Sequence, residues 1–172
     1  MNSWLRWSAT GGVILATIGC DRATKEIAAR SLSGRASHSF LADTIRLQLV
    51  ENRGGFLGLG ANLPELLRWG VFTLGTVLLL MLLAFLVTRH RPHSLVALGL
   101  ALVWAGGMSN WIDRAMHGTV IDFLNVGIGS LRTGIFNVAD MAIMAGVALV
   151  LFGSSRFARH GSRGNAEEGQ PD

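Results

Sequence analysis

The sequence predicts an all-α polytopic membrane protein with four transmembrane helices and a small amphipathic sheet between the first two. Three observations carry this expectation. Half of the 172 residues are hydrophobic and only 15% are charged. The apolar residues gather in four blocks of about bilayer length. The one stretch with a two-residue alternation, Ile45 to Val50, falls in the interval after the first block.

The first block, about Trp4 to Cys20, is expected to continue as helix through Asp21 and Lys25 toward Ser31, since nothing there breaks it. Asp21 and Lys25 stand at i and i+4, so an ion pair can form between them; a solvated helix end fits the spacing equally well. Residues 33–64 hold no run long enough to span. The strand at Ile45 to Val50 leads into Glu51-Asn52-Arg53-Gly54-Gly55-Phe56-Leu57-Gly58-Leu59-Gly60, a loop whose glycines suit either a plain connector or a flap over a membrane-level site.

The second span covers about Leu66 to Val87 and stops at Arg89-His90-Arg91-Pro92-His93. Those histidines lack an acidic neighbour, so a topology-setting turn is expected rather than a metal site. The third span runs from about Ser94 into Asn110-Trp111-Ile112-Asp113-Arg114, with Asn110, Asp113 and Arg114 on one face of its end. The fourth runs from about Phe136 to Phe152, with Asn137 and Asp140 together in its first turn. One domain is expected over 1–153, with the sheet region at about 38–60, followed by a disordered, first basic and then polar tail over 154–172.

The net charge is +4, from fourteen arginines and Lys25 against the acids. In a membrane chain such an excess sets topology, and no basic stripe alternates with aromatics, which argues against nucleic acid. The lone cysteine, Cys20, excludes an intrachain disulfide and a cysteine-rich metal site. Its setting, Thr17-Ile18-Gly19-Cys20, faintly resembles a lipoprotein cleavage box, but Arg6 is a meagre basic region and Thr17 stands where leucine is usual. A small buried helix residue is expected instead.

Four antiparallel spans would collect Asp21, Lys25, Asn52, Asn110, Asp113, Arg114, Asp122, Asn137 and Asp140 on one side of the membrane. Ionisable groups at helix ends are costly there unless paired or lining a wet cavity, so a site is expected at that surface. Arginines crowd the short segments opposite, which makes both termini cytoplasmic and the site external. Asp122, flanked by apolar residues, and Asp140, at the head of a helix, can share one proton if they meet. One would then deprotonate water while the other protonates a carbonyl or a departing amine, hydrolysing a peptide bond without a covalent intermediate. There is no His-Glu-x-x-His for zinc and no Gly-x-Ser-x-Gly turn, and Ser109 has no identifiable base. Asp113 with Arg114 reads as a structural pair, and Asn110 and Asn137 as groups that satisfy buried backbone or orient carboxylates.

Asp21-x-x-Thr24-Lys25, Asn52-x-Gly54, Gly106-Gly107-x-x-Asn110-x-x-Asp113-Arg114, Val120-x-Asp122-Phe123 and Phe136-Asn137-x-Ala139-Asp140 resemble, in order and spacing, the motifs of the lipoprotein (type II) signal peptidases. The resemblance implies an aspartyl endopeptidase of the bacterial inner membrane that cuts just before a diacylglyceryl-modified cysteine of a prolipoprotein. It implies no metal or other cofactor, and partners limited to such substrates and membrane lipid. Asp122 and Asp140 then match the catalytic dyad; Asn52, Gly54, Asn110, Arg114, Asn137 and Ala139 match positions that line or shape the site; Asp21 and Lys25 match a supporting pair. The segment Ile45 to Val50 fits the family's extracytoplasmic β-cradle, and the segment after Asp122 would supply its short surface helix. Two departures stand out: Phe56 follows only one residue after Gly55, and Ser109 replaces the usual glycine before Asn110. Without the resemblance, a proton-coupled carrier and a non-catalytic membrane subunit remain open, although acids confined to one side suit a relay poorly.

Overall fold

The computed structural model describes residues 3–90, 92 and 94–167. Helix α1 spans Ser3–Leu32. Strands β1 (His38–Phe40) and β2 (Ile45–Asn52) follow. Helix α2 covers Glu65–His90 and contains a π-helical turn at Gly70–Leu74. Helix α3 covers Ser94–His117, strands β3 and β4 cover Val120–Ile128 and Leu131–Arg132, and α4 runs Val138–Glu167. Of the basic turn Arg89 to His93, Arg91 and His93 lie outside the described residues.

Among the described residues, α2, α3 and the Val138–Ser155 part of α4 are long and apolar enough to cross a membrane. Leu74, Leu78, Met81, Leu82 and Phe85 of α2 lie on one broad exposed face, and the buried Leu80 on the opposite face is apolar too. A helix apolar on all sides is suited to a lipid surround. Helix α1 is longer, at 30 residues, but Arg6, Thr10, Gly11, Gly12, Thr17 and Asp21 dilute its apolar run.

The helices alternate in direction. Asp21 of α1 contacts Ser109 near the end of α3 and Ala139 at the start of α4, while Arg114 lies over Phe72 near the start of α2. One end of the bundle therefore gathers the polar side chains. Helices α3 and α4 form the most extensive helix contact. They approach so closely at Gly106 that an added Cβ would meet Ile143 Cγ1 at 2.8 Å as well as the Ala139 carbonyl. Gly106→Ala should therefore push α3 off α4 at the level of the polar cluster. We expect it to cost about 1–3 kcal/mol of stability with secondary structure retained, measured by thermal unfolding and circular dichroism.

The sheet is antiparallel, ordered β1-β2-β3-β4. Three residue steps of β2 (Leu47 to Val50) pass against two of β3 (Leu124 to Asp122), which is a one-residue bulge. Beyond it Val50 faces Asp122 and Asn52 faces Val120, so Asn52 stands diagonal to Asp122. The stretch after Asp122 is strand, not the expected surface helix, and the sheet draws on 120–132 as well as 38–60. The residues explain this: Val-Ile-Asp-Phe-Leu-Asn-Val-Gly-Ile is rich in β-branched and aromatic types, and Gly129-Ser130 makes a two-residue hairpin with Gly129 at φ 56°.

One further expectation changes. Cys20 is exposed rather than buried. Its neighbour Asp21 faces inward, and successive helical residues lie about 100° apart. Over the tail expected to be disordered from 154 onward, α4 is described as far as Glu167; residues 168–172 lie outside the described residues.

Candidate active site

The polar end of the bundle is built around Asn137, which caps α4. Its side-chain Oδ1 accepts the Asp140 N–H at 2.9 Å, and the Asp140 carboxylate Oδ2 accepts the Asn137 N–H at 3.3 Å. This reciprocal pairing satisfies two helix-terminal donors and fixes the Asp140 rotamer. With its oxygen committed, Asn137 must present its NH₂ to the sheet, where it donates to Asp122 Oδ1 at 2.6 Å. One fully buried residue thus touches both aspartates.

Each remaining carboxylate oxygen has its own donor. Asp122 Oδ2 accepts Asn52 Nδ2 at 2.9 Å, and Asn52 is oriented because its Oδ1 accepts the Gly54 N–H at 2.8 Å. Asp140 Oδ1 accepts Asn110 Nδ2 at 2.9 Å. Asn110 is oriented from behind: its Oδ1 accepts Lys25 Nζ at 2.8 Å, and an ammonium can only donate. The amide orientations follow from the network and leave the site no freedom to swap donors for acceptors.

Lys25 anchors the layer below. Besides Asn110 it reaches Asp21 Oδ2 and Asp113 Oδ2, each at 2.7 Å, so all three ammonium protons are used. Asp21 also accepts the Ser109 hydroxyl at 2.7 Å and the Ala139 N–H at 2.8 Å, and Asp113 pairs with Arg22 as well. Of the two readings of the i,i+4 spacing on α1, the ion pair is the one present, and it is buried. Ser109 is buried completely and donates to a carboxylate, so it is a tie between α1 and α3.

The expected Asp113–Arg114 pair does not form. Adjacent helical residues point apart, and Arg114 turns the other way, donating to the Gly54 carbonyl at 2.7 Å with its guanidinium 5.8 Å from the Phe72 ring centroid. Phe72 in turn lies against Gly55 and Gly60. The 54–60 loop is thus a tied flap seated on Phe72, which the π-helical turn presents. Sequence reasoning missed Arg22 and Phe72: Arg22 has Glu26 at i+4 on its own helix, a spacing that points to a local pair rather than to Asp113, whereas Glu26 pairs with Arg30; one phenylalanine in an apolar span carries no signal.

Burial, followed by the nearby Asp140 charge, pushes the Asp122 carboxyl up to about 6, against the lowering effect of its two amide donors. Since the pKa is raised above the unfolded value, Asp122 favours the folded state at low pH, and that contribution is lost as pH rises through about 6. Asp122→Asn should flatten the decline of melting temperature across that window. A decline equally steep in the variant would contradict this.

No group of three or more potential metal ligands occurs among the described residues.

The signal peptidase II family model matches residues 13–156. A lipoprotein signal peptidase of Paraburkholderia phymatum is 36% identical over 148 residues, 86% of this chain and 88% of that protein. One of Burkholderia mallei is 34% identical over the same extent of both chains. Among solved structures, a bacterial membrane enzyme determined by the in meso method at 2.3 Å has a TM-score of 0.75 at 22% identity, over 96% of this chain and 95% of that one. A second, at 1.9 Å, has a TM-score of 0.71 at 21% identity, over 84% and 91%. These structures share the fold. From the matched family model and the curated relatives, the chain belongs to the signal peptidase II family and is an aspartic protease.

Proposed function

We propose that the chain removes the signal peptide from diacylglyceryl-modified prolipoproteins, cutting just before the lipidated cysteine, with Asp122 and Asp140 as the catalytic dyad. The observation that carries this is Asn137 bonded to both buried carboxylates, with every carboxylate oxygen held by an amide donor. Asn52, Asn110, Asn137 and Ala139 shape the site, Gly54 and Arg114 hold the flap, and Asp21, Lys25 and Asp113 support the frame.

With one proton on the pair, the ionised carboxylate takes a proton from water as its oxygen attacks the scissile carbonyl carbon. The protonated partner gives its proton to the carbonyl oxygen. The tetrahedral intermediate collapses, the C–N bond breaks, and the amine leaves with a proton returned by the dyad. No metal or cofactor enters these steps.

We read α1 as a fourth span, which its direction supports: it runs antiparallel to α2 and α4, and its Asp21 and Lys25 lie at the polar end. Both termini are then cytoplasmic, and the dyad faces the extracytoplasmic surface of the bacterial inner membrane. A lipidated precursor would be anchored by its acyl chains with the scissile bond at dyad depth, so chemistry becomes effectively intramolecular. Comparing lipidated and unlipidated precursor tests this directly. We expect at least about 10²-fold lower kcat/KM without the lipid; equal rates would contradict it.

Catalysis needs the shared proton, so kcat/KM should fall on the alkaline side with an apparent pKa of about 6, a property of the pair. A profile flat from about pH 5 to about pH 8 would contradict the dyad.

A further inference from the structure

Beside the flap, a cavity of about 60 Å³ opens between α2, the end of α3 and the root of the 53–60 loop. Neither aspartate of the dyad lines it, nor does Asn52, Asn110 or Asn137. Three arginines from three different elements do: Arg53 at the flap root, Arg68 on α2 and Arg114 on α3. The α2 residues of the wall, Glu65, Arg68, Trp69, Phe72 and Thr73, stand at i, i+3, i+4, i+7 and i+8. They share one helical face, and Phe72 on that face lies under the Arg114 guanidinium.

These charges are uncompensated. Among the described residues no carboxylate forms an ion pair with any of the three arginines, although Glu65 stands in the same wall. Arg53 makes no side-chain hydrogen bond there, Arg68 makes one long bond to the Ala61 carbonyl at 3.4 Å, and Arg114 keeps a buried Nε with no partner. Thr73, only 8% exposed, also has a hydroxyl without a hydrogen-bond partner among the described residues. Buried donors are ordinarily satisfied, so this set calls for an acceptor.

We propose that the pocket binds a phosphate group. Guanidinium forks match phosphate oxygens in both charge and geometry, and the Thr73 hydroxyl adds a neutral donor. A bilayer phospholipid and free phosphate carry the same chemistry; exposed Leu66, Leu67 and Trp69 beside the pocket give a lipid's chains an apolar surface to follow. The inference needs neither dyad aspartate, so it holds or fails separately from the proposed cleavage.

The full chain in detergent is titrated with phosphatidylglycerol and with diacylglycerol of the same chains, read by native mass spectrometry, and with inorganic phosphate, read by calorimetry. For a lipid source, one phosphatidylglycerol is retained about 10²-fold more tightly than diacylglycerol; for a free-phosphate source, inorganic phosphate binds one to one instead. Arg53→Gln and Arg68→Gln should each weaken the bound probe about fivefold, and Glu65→Gln should tighten it, with circular dichroism unchanged in all three. Retention of diacylglycerol equal to that of phosphatidylglycerol without phosphate binding, binding unaffected by both arginine changes, or binding of neither phosphate-bearing probe would overturn the proposal.

Discussion

Asp140→Asn should lower the single-turnover cleavage rate by at least about 10³-fold, and Asp122→Asn by a similar factor, while both variants stay folded. The geometry explains why folding survives. In Asp140→Asn the side-chain oxygen can still accept from Asn110 or from the Asn137 backbone, so at least one of the two bonds remains. In Asp122→Asn one new NH₂ must face the NH₂ of Asn52 or Asn137, because both of those amides are locked by their other bonds. That local mismatch is offset by relief of a buried carboxylate. Each change removes the proton exchange that hydrolysis needs. An active Asp140→Asn variant would remove Asp140 from the chemistry, and measuring rate beside circular dichroism separates lost chemistry from lost structure.

Lys25→Met should destabilise the protein by about 3–5 kcal/mol, among the largest effects expected of a single side chain here. Lys25 is buried and bonds Asp21, Asp113 and Asn110. Without it, Asp21 keeps only neutral donors, Asp113 keeps only Arg22, and Asn110 loses the donor that orients its amide toward Asp140. Stability and activity should therefore fall together. A second change, Asp21→Asn in the Lys25→Met background, should recover part of the stability by removing an uncompensated charge. Thermal unfolding in detergent reads both effects, and a Lys25→Met chain within about 1 kcal/mol of the native one would contradict a buried, three-way role.

Much of this arrangement is legible in the residues because a bilayer makes polarity conspicuous. Asn110, Asp113, Asn137 and Asp140 stand out against apolar neighbours, and alternation of helix direction alone brings them to one end. The Asp21–Lys25 pair is visible as an i,i+4 spacing. The second layer is not legible, because its links cross between helices with no common period: Lys25 to Asn110, Asp21 to Ala139 and Arg22 to Asp113 each join segments more than eighty residues apart. Arg114 misleads for a related reason, since adjacency in a helical sequence is not adjacency of side chains in space. Strand β3 hides inside a segment that its carboxylate marks as site. Its Asp122 and Asn125 break the apolar alternation, although the Gly129-Ser130 turn is a hairpin signal in plain view.

In the proposed mechanism two aspartates, held by asparagines, activate water with no covalent enzyme intermediate. Intact-mass analysis of the protein and a diacylglyceryl-modified precursor, quenched through the first turnover, tests it most directly. The expected product begins at the lipidated cysteine, and the mass of the enzyme stays unchanged at every time point. An enzyme carrying the added mass of the signal peptide, or no product from folded protein, would contradict it.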